Sequence, residues 1–160
     1  MGKYKQVREK FTVGEGLDTS EIESLRDEMQ EWVDNMSGTA LENTSRYQMA
    51  EEAASQLDRV DEIRFDDIWD TVNNSECPTE DLKNLEYEGV IFKVKSRRQS
   101  PSRAYRLSNA ISVINGALER LRDFLEPYTD DEVGEVRKAI DEVESVVQDL
   151  DGVEFPGMYG

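Results

Sequence analysis

Apolar side chains recur every three or four residues through most of this chain, the spacing that lines one side of a helix. From Thr19 to about Met36 the stripe is Ile22, Leu25, Met29, Trp32 and Met36, and Ser20 with Glu23 has the form of a capping box. Ser37-Gly38 ends it. A second helix opens near Asn43 or Thr44 and carries Tyr47, Ala50, Ala54 and Leu57 on one face, where alanine permits close approach of a neighbour. The longest stripes come last. Leu107, Ile111, Ile114, Leu118, Leu121 and Leu125 follow one seam between Ser102 and Glu126, and Val133, Val136, Ile140, Val143, Val147 and Leu150 follow another between Asp130 and Leu150. Both are heptad-like. Pro127 cannot continue the first helix, and Thr129 with Glu132 caps the second, so the pair predicts an antiparallel hairpin. Together the stripes predict a mainly α protein, a small helical bundle. The seams could also continue between chains, which leaves a homo-oligomer open.

One stretch alternates instead. From Tyr87 to Lys95 the chain sets Val90, Phe92 and Val94 against Ile91, Lys93 and Lys95, which predicts a minor β element near 87–95 with one apolar and one largely basic face. A lone strand needs a partner, and either Phe11 to Val13 or Ile63 to Phe65 fits. Residues 58–86 carry a weak pattern: Ile63, Phe65, Ile68, Trp69 and Val72 suggest a short helix or irregular cover, and Asn73-Asn74-Ser75 with Pro78 marks a loop. A length of 160 residues suits one hydrophobic core. The division expected is an N-terminal arm at 1–16, a single helical domain at 17–151 and a C-terminal tail at 152–160.

Charge changes the picture. The chain has 36 Asp and Glu against 19 Lys and Arg, a net −17. Solubility, adaptation to high salt, or imitation of the DNA phosphate array would each account for such acidity. The charge is also sorted along the chain: +2 over residues 1–16, −16 over 17–88, +6 over 89–116 and −9 over 117–160. That segregation points to two electrostatically distinct faces. On the positive side, Lys93 and Lys95 project from the strand, Arg97 and Arg98 follow in the loop, and Arg103 and Arg106 occupy the first turn of a helix capped by Ser102. Arginine there opposes the helix dipole by about 0.3–1 kcal/mol per charge. An anion at that spot would explain the arrangement: a phosphate or nucleotide, with Tyr105 as a stacking surface, or this chain's own carboxylates. Long duplex nucleic acid is disfavoured by the overall charge. On the negative side, Glu21, Asp27, Glu28, Glu31 and Asp34 form the acidic face expected to meet a partner protein.

The inventory excludes most enzyme chemistry. Without histidine there is no Ser-His-Asp or Cys-His constellation and no imidazole base. The single Cys77 forms neither a zinc site nor an internal disulfide, and no phosphate-loop or dinucleotide-binding glycine motif is present. Asp66, Asp67 and Asp70 lie a helical turn apart, a spacing that suits a hard cation but that chance also supplies at this carboxylate density. The expectation is a non-enzyme with no metal and no cofactor. No apolar run approaches the roughly 20 residues that span a bilayer, and residues 1–10 have no secretory pattern, so an intracellular, soluble protein with no membrane partner is expected.

The run Ser20-Glu21-Ile22-Glu23-Ser24-Leu25-Arg26-Asp27-Glu28-Met29-Gln30-Glu31-Trp32-Val33-Asp34-Asn35, followed by Leu41-Glu42-Asn43-Thr44, Tyr47 and Ala53-Ala54, resembles the opening of small acidic helical proteins encoded by tailed bacteriophages. Ser102-Arg103-Ala104-Tyr105-Arg106-Leu107-Ser108-Asn109-Ala110 resembles a second block of the same proteins, and the similarity covers about residues 17–126. The resemblance implies an early or accessory phage product, acting in the host bacterial cytoplasm by binding a host protein such as a defence component. The function expected is therefore a phage-encoded, non-enzymatic protein that binds and inhibits a host macromolecule through an acidic, DNA-like face. The alternative is a protein that sequesters a phosphate-containing small ligand through the Arg97 to Arg106 cluster. A third reading is an oligomer in which the arginine segment of one chain docks on carboxylates of another.

Overall fold

In chain order the elements are β1 (Tyr4–Thr12), α1 (Val13–Gly16), α2 (Ser20–Met36), α3 (Ser45–Leu57), a 3-10 turn (Asp58–Glu62), α4 (Phe65–Asn73), α5 (Thr79–Lys83), β2 (Glu86–Val94), α6 (Arg103–Leu125) and α7 (Asp130–Leu150). They belong to a computed structural model that describes residues 4–75, 79–96, 98 and 100–156. The fold is mainly α, with a two-stranded antiparallel sheet as its minor β element. Cys77 and Pro78 lie outside the described residues.

Both long seams are core. Every seam residue of α6 and of α7 is buried, and each fully buried Leu or Ile contributes roughly 1.5–3 kcal/mol. The hairpin turn is held from both sides. The Glu132 carboxylate accepts from Thr129 N at 3.1 Å and Thr129 Oγ1 at 2.9 Å. Arg137 donates to the carbonyls of Leu125 and Tyr128, both at 2.7 Å, tying α7 to the end of α6 and to the turn, where Leu125 O also accepts from Tyr128 N–H. On α2, Ile22, Leu25, Met29 and Met36 are buried, and the helix starts one residue from its expected cap. Thr19 is the N-cap, and the turn is tied by Ser20 N–H donating to Asp18 Oδ1 at 2.9 Å and Thr19 Oγ1 donating to Glu23 Oε2 at 3.0 Å. Thr44 caps α3 by accepting from Tyr47 N–H, and Ala50, Ala53, Ala54 and Leu57 face the core. The short helix expected among Phe65, Ile68, Trp69 and Val72 is α4.

The partner of β2 is the N-terminal strand, with Phe11 opposite Tyr87, Val7 opposite Ile91 and Lys5 opposite Lys93. This corrects the expected arm. Residues from Tyr4 to Gly16 are integral to the fold, with Val13 fully buried and its N–H donating to Leu85 O at 2.9 Å. The expected tail at 152–160 is also partly built in, because Val153 is buried and Phe155 packs on the core; residues 157–160 lie outside the described residues. A second correction concerns which side of β2 faces inward. The sequence alternation favours Val90, Phe92 and Val94, yet Gly89 and Ile91 are buried and those three are half-buried. The cause is aromatic packing from the odd-numbered face. A Cβ on Gly89 would lie 2.7 Å from the Phe11 ring, and the Tyr87 ring needs both Gly16 and Gly116 beneath it. Tyr87 Oη donates to Val113 O at 2.7 Å, and burial pushes its phenol up to about 12.

The outer edge of β2 is sealed by α6. Asn109 Oδ1 accepts from Phe92 N–H at 2.9 Å while Asn109 Nδ2 donates to Phe92 O at 2.8 Å. Ser112 Oγ donates to Val90 O at 2.8 Å and Arg120 Nε to Glu86 O at 3.1 Å. Side chains of one helix thus take the place of a third strand. Among the described residues no helix is long and apolar enough to cross a membrane.

Candidate functional site

The −16 and +6 segments of the sequence meet along the seam between α2 and α6. Glu21 and Glu28 lie two helical turns apart on one stripe of α2, and Arg103 and Arg106 occupy the first turn of α6 facing them. Arg106 Nε lies 2.5 Å from Glu21 Oε1, and its Nη2 lies 2.6 Å from Glu28 Oε2. Arg103 Nε lies 3.1 Å from Glu28 Oε1, and its guanidinium stands over the Trp32 ring at 5.2 Å from the centroid. The Arg106 hydrogen bond is the main reason that the Glu28 carboxyl is held below the usual carboxylate range; desolvation opposes it. The anion that lets arginine occupy a helix start is therefore supplied by the chain itself.

The remaining members of the expected cation cluster do not converge on that clamp. Lys93 pairs with Glu9 inside the sheet. Lys95, expected on the strand, and Arg98 are exposed beyond the end of β2 at Val94, and Arg97 lies outside the described residues. Tyr105 is only partly available, at 37% exposure, because it stacks on Tyr4 with centroids 3.7 Å apart and meets Phe92 edge-on. Asp66, Asp67 and Asp70 are exposed on α4, and among the described residues no group of three metal-ligating side chains converges.

Of the five residues of the expected acidic face, two are thus spent on the clamp and three are not. Asp27, Glu31 and Asp34 are exposed and fall within about 60° of one another around the helix, at 100° per residue. Asp27 lies 3.4 Å from Arg26 Nε, Asp34 accepts from Gln30 Nε2 at 3.0 Å, and Glu31 projects with neither. Beside Glu31 lies a shallow groove of about 500 Å³ lined by Glu28, Glu31, Trp32, Asn35, Met36, Leu41 and Arg103. Leu41 is 54% exposed, the most exposed large apolar side chain among the described residues. Sequence patterning assigns Trp32 to the core stripe and passes over Leu41. The signal for Leu41 is its place in a polar loop, where no helical stripe needs it.

Arginine elsewhere follows the same rule of joining elements. Arg26 reaches Asp61 at 2.9 Å, Arg59 of the 3-10 turn pairs with Asp149 of α7, and Arg122 of α6 reaches Asp141 and Glu144 of α7 at 2.5 and 2.7 Å. No protein-family model, no curated protein and no solved structure matches this chain.

Proposed function

We propose that this chain is a non-enzymatic binding protein whose groove on α2 docks a cationic segment of a partner protein. Leu41 and Trp32 supply the apolar contact, and Glu31 with Asp27 and Asp34 supplies the acidic frame. The observation that carries this reading is the coincidence of an exposed Leu41, in the loop after α2, with Glu31, Asp27 and Asp34, exposed carboxylates on one face of α2 that join it to no other element. Apolar anchors set in a polar rim are what stable protein interfaces use. The three carboxylates rise by about 6 and about 4.5 Å along the helix. That is sparser than one phosphate per about 3.4 Å along a DNA strand, which argues for an acid-framed protein groove over a close copy of DNA. The likeness of residues 17–126 to phage proteins supports a phage-encoded accessory role and a host protein as the partner, whose own activity docking would block. The phosphate-sequestering alternative loses its two best guanidinium groups to Glu21 and Glu28.

The test is to isolate the partner with the tagged chain from bacterial cells and then titrate the purified pair. Affinity should fall steeply as salt rises from about 0.05 to 0.5 M. The triple variant D27K/E31K/D34K and the single variant Leu41→Ala should each lose about tenfold or more while melting like the parent chain. Binding that is indifferent to salt and to both variants would refute the docking face.

A further inference from the structure

β1 is an edge strand with one long side open. Val13 N–H reaches Leu85 O, and Phe92 turns both of its backbone groups toward Asn109. Odd-numbered residues of β1 therefore exchange hydrogen bonds with β2, and even-numbered residues turn their backbone groups outward. Gln6, Arg8 and Lys10 are exposed, and no described group bonds their N–H or C=O. Because α6 closes the far edge of the sheet, the helix stands away from this approach side. Unprotected strand edges of this kind are templates for another strand.

We infer that this edge pairs with β1 of a second copy of the chain, antiparallel about a two-fold axis at Val7, giving a four-stranded sheet. The sequence of the strand selects that occupant and that register. With Val7 opposite Val7 of the second copy, Lys5 falls opposite Glu9 of the second copy, and Glu9 opposite its Lys5. Gln6 and Arg8 then face each other in hydrogen-bonded pairs that use the outward groups. The monomer itself lacks this complementarity. Lys5 stands directly across from Lys93, like charge against like, and Glu9 already reaches Lys93. Pairing would bring a second Glu9 against Lys5 and relieve that repulsion. Residues 1–16 are also the one N-terminal stretch where a molecule of net −17 is not negative, so copies meet here with least repulsion.

Sedimentation of the full chain near 0.15 M salt tests this, with a strand proline as the sharpest variant. Arg8→Pro removes an outward donor that β2 does not use, so the monomer keeps its ladder while the second strand loses a bond. A reversible dimer is expected for the parent chain, and a monomer with unchanged circular dichroism for R8P. Glu9→Lys should weaken the dimer by about tenfold or more, and the swap K5E/E9K should restore it to within about threefold, independently of whether R8P folds. Amide exchange at Gln6, Arg8 and Lys10 should slow as the dimer forms. A parent chain that stays monomeric, including one whose edge takes up an extended acidic peptide instead, overturns the inference. So does a dimer that R8P and E9K leave intact.

Discussion

Gly116 is the position where packing against the sheet can be separated most cleanly from helix propensity. It lies inside α6, where replacing glycine by alanine ordinarily stabilises by about 0.8–1 kcal/mol. Here an alanine Cβ would stand 2.7 Å from Tyr87 Cε2 and 3.0 Å from Cδ2. The ring has no direction of retreat. Its hydroxyl is bonded to Val113 O, its far end lies against Gly16, and Phe11 stacks on it with centroids 5.7 Å apart. Overpacking of this kind costs about 1–3 kcal/mol, so Gly116→Ala should destabilise by up to about 2 kcal/mol net. In a chain of this length that is a fall in Tm of up to about 8 °C. In the background of Tyr87→Ala the obstruction is gone, and the same substitution should stabilise by about 0.5–1 kcal/mol. Urea unfolding of the four proteins, with slopes compared to check that the unfolded state is unchanged, gives the coupling. A G116A chain more stable than its parent, or the same effect in both backgrounds within about 0.5 kcal/mol, would refute the packing of Tyr87 on α6.

Two further outcomes follow from named contacts. Asn109→Ala strips both partners from the Phe92 backbone and should cost about 1–3 kcal/mol, with exchange of the Phe92 amide accelerating more than that of amides in α7. Glu28→Gln weakens the clamp, and its effect should depend on pH with a fixed sign. Arg106 holds the native carboxyl below its unfolded value, so the contribution is present above about pH 4.3 and is lost as pH falls through the native value. The stability gap between parent and E28Q should therefore narrow on acidification, and a gap that widens below pH 4 would contradict the clamp.

How much of this was legible in the chain depends on whether a residue's role is local. The seams of α6 and α7, the Thr129 and Ser102 caps and the start of α3 at Thr44 depend on spacing within one element, and the structure has them where the pattern puts them. The choice of Tyr4–Thr12 as partner to β2 depends on contacts between residues some 80 positions apart, which no local pattern ranks. The inward face of β2 was misread for a related reason. Valine and phenylalanine outweigh glycine on any hydropathy count, but the space above Gly89 is already filled by Phe11. Asn109, Ser112 and Arg120 left a fainter trace, a polar stripe on α6 at 3- and 8-residue spacing beside the apolar seam. Periodicity marks such a stripe as solvent-facing, whereas here it meets a strand edge.

Charge sorting along the sequence has a consequence that composition alone does not reveal. If the arginines were scattered, each would neutralise a neighbour on its own helix and contribute about 0.3–0.5 kcal/mol to that helix alone. Concentrated at the start of α6, they can only be satisfied by another element, and α2 supplies Glu21 and Glu28, two turns apart, with Arg106 bridging both and Arg103 adding to Glu28. The pairing therefore specifies which helix packs where, and half-exposed ion pairs are better suited to fixing an arrangement than to adding stability. It also divides the acidic residues of α2 by role. Glu21 and Glu28 join α2 to α6, and removing them should be felt in unfolding; Asp27 and Asp34 reach only Arg26 and Gln30 of their own helix, and Glu31 projects beside the groove. Their place beside the exposed Leu41 is the feature on which the proposed docking face rests, and the lysine variants of that face separate it from the clamp.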